Sequence, residues 1–284
     1  MIPIKDRNPT MRKPVVTVVL ILVNVGVFIL IQRPSADTPD GDLRFSYDYA
    51  AIPCEVVTGE PLDVGEIEDT LQGDHSACDE DRRPAERRRS QEVFPEKRVW
   101  LAVVASMFLH GGWLHLGGNM LFLWVFGNNI EDHLGPVRYI AFYLLGGLVA
   151  AFAHFAVDPG STIPVVGASG AVAGVMGAYL VWFPRAPVLT AFLFILIFVR
   201  EIEAKWLLIF WFILQFFTGP DSGVAWAAHV GGFVFGAVVA LFVRQNRNAR
   251  KVAWRPEYAG AGWDPYGGLP PPPPNPDDSR FGRR

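Results

Sequence analysis

Apolar residues along this chain gather in long uncharged runs, and polar and charged residues fill the stretches between them. A soluble helix mixes the two around its circumference, so segregation along the chain predicts helices that cross a bilayer. Runs near the ~20 residues that span the hydrocarbon core fall at residues 15–31, 113–130, 137–157, 169–183 and 225–243. The apolar stretch 186–217 is too long for one span and is broken by Arg200-Glu201-Ile202-Glu203-Ala204-Lys205. Its first half reads as an interfacial segment, and residues 206–217 with a little flank as a further span. The expected architecture is an all-α, polytopic membrane protein with six transmembrane helices.

Basic flanks set the expected orientation. Lys5, Arg7, Arg12 and Lys13 precede the first span, and Arg244, Arg247, Arg250 and Lys251 follow the last. Arg138, Arg185 and Arg200 fall in or beside loops on that same side. Both termini are expected in the cytoplasm of a multi-pass plasma-membrane protein, with residues 1–14 as a cytoplasmic lead-in. Nothing after Gln32-Arg33-Pro34 resembles a small-residue cleavage site, so residues 15–32 read as a retained helix, not a signal peptide.

The remaining polar segments add detail. Residues 33–99 fall outside the cytoplasm as a long insertion, acidic at first and basic from Arg82 to Arg89. It holds the chain's two cysteines, Cys54 and Cys78. An even pair in an oxidising compartment reads as a disulfide, the alternative being two free thiols. Residues 246–284, with Pro270 through Pro274, lack apolar periodicity and read as a disordered, Pro-rich cytoplasmic tail. A formal net charge of −3 says little about partners; lipid and other membrane proteins are expected, nucleic acid is not.

Chemistry-bearing residues are few in the apolar runs. Ser169 opens the fourth, in Gly167-Ala168-Ser169-Gly170, and His229 lies near the start of the sixth, in Ala228-His229-Val230-Gly231-Gly232. Taken singly, Ser169 is an ordinary helix N-cap and His229 a histidine bonded to a neighbouring carbonyl. Counting spans puts both near the outer ends of two nearby helices, where a hydroxyl and an imidazole make a nucleophile and its general base. A serine in a first helical turn also sits among N–H groups without intrahelical acceptors, which suits a developing oxyanion. Gly170, Gly174 and Gly177 on one helix, with Gly232 and Gly236 on the other, have the spacing that lets helix backbones approach closely in lipid. His115 and Asn119, four apart on the second span, share a face and offer two more donors. A zinc site from His110, His115 and His229 fits poorly, because residues 110 and 115 do not share a helical face and no carboxylate adjoins them. No metal and no cofactor is expected.

The GxSG run, the His115-x3-Asn119 pair and the AHxxGxxxG run from Ala228 to Gly236 resemble the rhomboid family of intramembrane serine proteases. Glu131-Asp132-x-x-Gly135, followed by Arg138-Tyr139, is similar to that family's turn between the second and third spans. The resemblance implies a catalytic core at residues 100–245 of a six-helix rhomboid-like bundle. It further implies that Ser169 and His229 form a catalytic dyad without an acidic third member and work through an acyl-enzyme. His115, Asn119 and the Ser169 backbone N–H would hold the oxyanion, and the substrates would be transmembrane helices cut near the outer face. A helical peptide bond must unwind before attack, and Gly, a poor helix former among small residues, lowers that cost. The alternative is a non-proteolytic rhomboid-like protein that binds membrane clients. A transporter or channel predicts Asp, Glu or Lys at mid-depth, and the spans hold none.

Three features depart from the pattern the resemblance implies. Ala173 stands where an aromatic commonly packs against the catalytic histidine, so Phe233 or an aromatic on another span is expected to orient His229. Trp100-Leu101-Ala102 lies where a Trp-Arg pair is common. The cysteine-bearing insertion has no counterpart in the simplest members. Residues 217–224, with Gly219-Pro220 and Gly223, suit a mobile cap over the site.

Overall fold

The computed structural model describes residues 1–35, 40–74, 78, 93–193, 197–218 and 224–243. The Pro-rich tail, the Arg82–Arg89 stretch and residues 219–223 of the expected cap at 217–224 lie outside them. Helices dominate. In chain order they are α1 (Val15–Val27), α2 (Arg33–Ser35), α3 (Gly41–Tyr49), α4 (Pro53–Thr58), α5 (Val64–Leu71), α6 (Val99–Ser106) and α7 (Trp113–Leu134). There follow α8 (Pro136–Val157), α9 (Ser169–Trp182), α10 (Ala204–Gln215) and α11 (Trp226–Phe242). A π-helical turn at Phe28–Gln32 joins α1 to α2, making one continuous helix over Val15–Ser35. That helix and α8 are long and apolar enough to cross a membrane; α9, α10 and α11 are apolar but shorter.

The expected interfacial segment is instead a β-hairpin, and the all-α expectation needs correcting there. β2 (Pro187–Leu193) pairs antiparallel with β3 (Ile197–Glu203), and β1 (Ile2–Asp6) adds an outer strand against β2. Pro184 and Pro187 disfavour helix at its start, and the β-branched and aromatic residues that follow suit a pleated surface. The sheet is tied to the bundle by polar groups. Asn129 of α7 donates to a carboxylate oxygen of Asp6, while Asn8 donates to Asn129 Oδ1 at 2.7 Å. Burial pushes the Asp6 carboxyl up to about 7.

α9 is the axis of the bundle. From Gly170 to Tyr179 every residue is buried, surrounded by α7, α8, α10 and α11. Tyr179, Phe126, Leu123, Met176 and Tyr139 fill the core beside it with essentially no exposure. Against α11 the packing is backbone on backbone. A Cβ on Gly236 would come within 1.8 Å of Gly174 O, and one on Gly232 within 2.1 Å of Gly170 O. The glycine spacing read from the sequence is therefore the contact itself. At the α7–α8 turn, Glu131 reaches across to α1 and accepts from Val16 N, Thr17 N and Thr17 Oγ at 2.8–2.9 Å. The two backbone donors are first-turn N–H groups that no intrahelical carbonyl can satisfy. Gly135, at φ 77°, supplies the left-handed turn between the two helices.

The insertion packs at the end of the bundle that carries Ser169. It contains α3, α4 and α5, and Cys54 and Cys78 are bonded with their Cα atoms 6.0 Å apart. Glu66 adjoins the two sulfurs, but a disulfide has no thiolate to give a metal. Glu55 and Lys97, both almost wholly buried, pair at 2.5 Å, and Lys97 also donates to Tyr47 O at 2.6 Å. Desolvation raises the Glu55 carboxyl and lowers the Lys97 ammonium, against the attraction between them.

Candidate active site

Ser169 begins α9, so its Oγ and the first N–H groups of the helix share one small space. α11 runs parallel to α9 through the glycine contacts and carries His229 to the same level. His229 Nε2 lies 2.8 Å from Ser169 Oγ. The seam of small residues fixes this distance, because neither helix can shift along the other without driving a carbonyl into a neighbouring Cα.

His115 stands beside this pair from α7, and Asn119 lies one turn further along the same helix. His115 Nδ1 accepts from Gly111 N at 3.3 Å, so in the neutral ring Nε2 carries the proton. That Nε2–H faces the backbone of Gly167: a Cβ there would sit 2.8 Å from His115 Nε2 and 3.3 Å from Ser169 Oγ. Gly167 has φ +132°, a conformation that favours glycine, so its bare Cα leaves room between donor and hydroxyl. Asn119 Nδ2 is buried with no acceptor among the described residues. A buried donor costs free energy unless something accepts from it.

The strand before Ser169 is clamped from outside. Gly167 N donates to Ser106 O at 2.9 Å, and Ser106 Oγ accepts from Ala51 N at 2.6 Å. Val165 N donates to Ala51 O at 2.8 Å, and Cys54 N to Ser161 O at 3.0 Å. The insertion thus braces the segment that presents Gly167, Ala168 and Ser169. A small pocket opens next to Ser169, walled by small residues such as Gly147, Ala150 and Gly170 and by the larger Met107 and Phe155.

One contact to His229 escaped the sequence reading, and a second was foreseen only as an aromatic on another span. Gln215, the last residue of α10, has Oε1 2.7 Å from His229 Nδ1. Trp211, one turn earlier, places its ring centroid 5.7 Å from the imidazole. An aromatic from another span does flank His229 in place of Ala173, while Phe233 packs on Trp211 and Phe212. The signal for Gln215 was present: it is a lone amide in an apolar run, the criterion that singled out Ser169 and His229.

Residues 97–246 match the Rhomboid domain, more than half of the chain. The chain belongs to the rhomboid family. Its relatives include RHOMBOID-like protein 5 of Arabidopsis thaliana, 30% identical over 162 residues, which are 57% of this chain and 49% of that protein. Rhomboid protease AarA of Providencia stuartii is 29% identical over 155 residues, 50% of this chain and 55% of that protein. The mitochondrial Rhomboid protein 1 of Saccharomyces cerevisiae is 33% identical over 93 residues, 31% of this chain and 27% of that protein. The matched regions cover about half the length of the first two relatives and about a quarter of the third. Rhomboids are multi-pass membrane proteins, and relatives named as mitochondrial mean that membership alone does not choose the membrane.

Proposed function

We propose that this rhomboid is an intramembrane serine endopeptidase that cleaves transmembrane helices of other proteins near the extracytoplasmic face. The observation that carries the reading is the 2.8 Å approach of His229 Nε2 to Ser169 Oγ, held between two helices in backbone contact. His229 takes the hydroxyl proton as Ser169 Oγ attacks the scissile carbonyl. The tetrahedral oxyanion is held by Ser169 N–H, His115 Nε2–H and Asn119 Nδ2, the last being a donor that otherwise lacks an acceptor. Collapse releases the amine, which His229 protonates, and leaves Ser169 acylated. Water, deprotonated by His229, then hydrolyses the ester. The small pocket beside Ser169 suits Gly or Ala at the cut, and Gly also unwinds from a helix at low cost.

In this reading six helices span the bilayer: Val15–Ser35, α7, α8, α9, α10 and α11. Residues 100–245 form the catalytic core, 33–99 an extracytoplasmic insertion, and 1–14 and 246–284 lie in the cytoplasm of a plasma-membrane protein. The sheet then sits on the cytoplasmic side. α10 is shorter than the hydrocarbon is thick, which predicts local bilayer thinning beside it.

The deciding experiment is cleavage of a model transmembrane substrate by purified protein, with Ser169→Ala and His229→Ala alongside. Product from the wild type alone supports the dyad. Equal product from wild type and Ser169→Ala would sink it. If the wild type neither cleaves nor labels with a fluorophosphonate at Ser169, the client-binding alternative takes over.

A further inference from the structure

Among the described residues the dyad has no acidic partner, yet an imidazole acts as a base toward Ser169 only in the tautomer whose Nε2 is unprotonated. Something must hold the proton on Nδ1. Gln215 lies at the end of α10, 7% exposed, with Oε1 2.7 Å from His229 Nδ1. The orientation of its amide is fixed from the other side, because Nε2 donates to Trp211 O at 2.8 Å. A carbonyl can only accept, so the amide nitrogen must face Trp211 and the oxygen must face His229. Oε1 in turn can only accept, so Nδ1 carries the proton and the Nε2 lone pair points at Ser169 Oγ. The Thr218 hydroxyl donates to the Gln215 backbone carbonyl, anchoring the end of α10, and the Trp211 ring flanks the imidazole.

We propose that Gln215 is the positioning residue of this active site, fixing the tautomer and orientation of His229 with a neutral amide instead of a carboxylate. The inference rests on the reading of Ser169 and His229 as a protease dyad. A chain Trp211 O, Gln215, His229, Ser169 runs from α10 through α11 to α9, each member aligning the next. When Nε2 takes the serine proton, the Nδ1–H···Oε1 bond becomes charge-assisted and strengthens, which favours the transition state over the ground state. A carboxylate would do the same at a greater cost of burial in the bilayer. The titratable groups acting on His229 from neighbouring helices are His115 of α7 and His154 of α8. On α9, α10 and α11 the others are Tyr179 and Lys205, far along their helices from the dyad.

The test combines histidine nitrogen NMR with kinetics on full-length protein in detergent. His229→Ala assigns the signal. In the wild type, His229 should show a protonated Nδ1 and an unprotonated Nε2. In Gln215→Leu the signal should become a mixture of tautomers, and kcat should fall about tenfold with KM little changed, about 1.4 kcal/mol of transition-state stabilisation. Gln215→Met replaces it if the leucine variant does not fold. Gln215→Glu should retain most of kcat and move the acid limb of the pH–rate profile upward, because a carboxylate stabilises the imidazolium. An unchanged tautomer in Gln215→Leu together with unchanged kcat would overturn the proposal, as would an unshifted profile in Gln215→Glu. If the wild type has no activity, the protease reading fails separately, and the tautomer signal alone decides whether Gln215 orders the imidazole.

Discussion

Along the α9–α11 seam two helices touch through their backbones, with Gly170, Gly174, Gly232 and Gly236 leaving no side chain between them. The insertion holds its chain with long side chains and covalent chemistry: a disulfide, a buried Glu55–Lys97 pair and a reciprocal cap between Asp63 and Glu66. The contrast follows from the solvent. Lipid gives helices no hydrophobic reason to associate, so a membrane seam gains from dense contact and close approach. In the proposed topology the insertion lies outside the hydrocarbon, where a small unit has too little apolar surface to order itself and needs staples. The site lies where the two meet, with Ser169 and His229 held by the seam and the strand leading to Ser169 braced by the insertion.

The sharpest way to break that contrast is at the seam. Gly236→Val puts a branched side chain where even a Cβ would meet Gly174 O at 1.8 Å. Backbone cannot yield as a flexible side chain can, so α11 must move outward and take His229 with it. Overpacking of this kind costs about 1–3 kcal/mol or more, and cleavage should fall at least a hundredfold. Peptidase assays and thermal melts of purified protein would check both; a fully active Gly236→Val would mean that the helices are not held by close contact.

In the insertion the largest single effect should come from Lys97→Met, which leaves Glu55 buried without its cation. Breaking one partner of a buried pair costs about 3–5 kcal/mol, so the insertion should unfold at a lower temperature than the bundle. Changing both residues, Glu55→Gln with Lys97→Met, should recover much of that loss, because no buried charge remains. If single and double variants melt alike, the pair is not a determinant of the insertion's stability.

Legibility from sequence divides along the same line. Ser169, His229 and the glycines of α9 and α11 could be read because each signal is local: a polar residue in an apolar run, or a period of one helical turn. His115 and Asn119 followed for the same reason, and His115 lies against Gly167 beside Ser169. Gln215 escaped because the run around it was weighed only for length. The sheet escaped for a physical reason: Ile2 pairs with Ala191, and no local pattern announces so distant a partner. A short apolar run also looks alike whether it becomes a buried helix or a strand. The helices of the insertion, six to nine residues long, are too short for periodicity to declare them.

The disulfide offers the finest probe of how far the two regions depend on each other. Cys54 and Cys78 close a loop with a sequence separation of 24 residues, and removing such a crosslink costs about 3 kcal/mol by the chain-entropy argument. That cost falls on the insertion, since the α9–α11 seam contains no cysteine. Replacing both with serine should therefore leave fluorophosphonate labelling of Ser169 intact at low temperature. The bracing of Gly167 by way of Ala51 and Ser106 then gives the second expectation: labelling of the variant should be lost on heating at a lower temperature than in wild type, as the insertion lets go. A variant whose labelling survives to the wild-type temperature would mean that the seam alone presents the serine. Labelling lost even in the cold would mean that the insertion is needed to form the site at all.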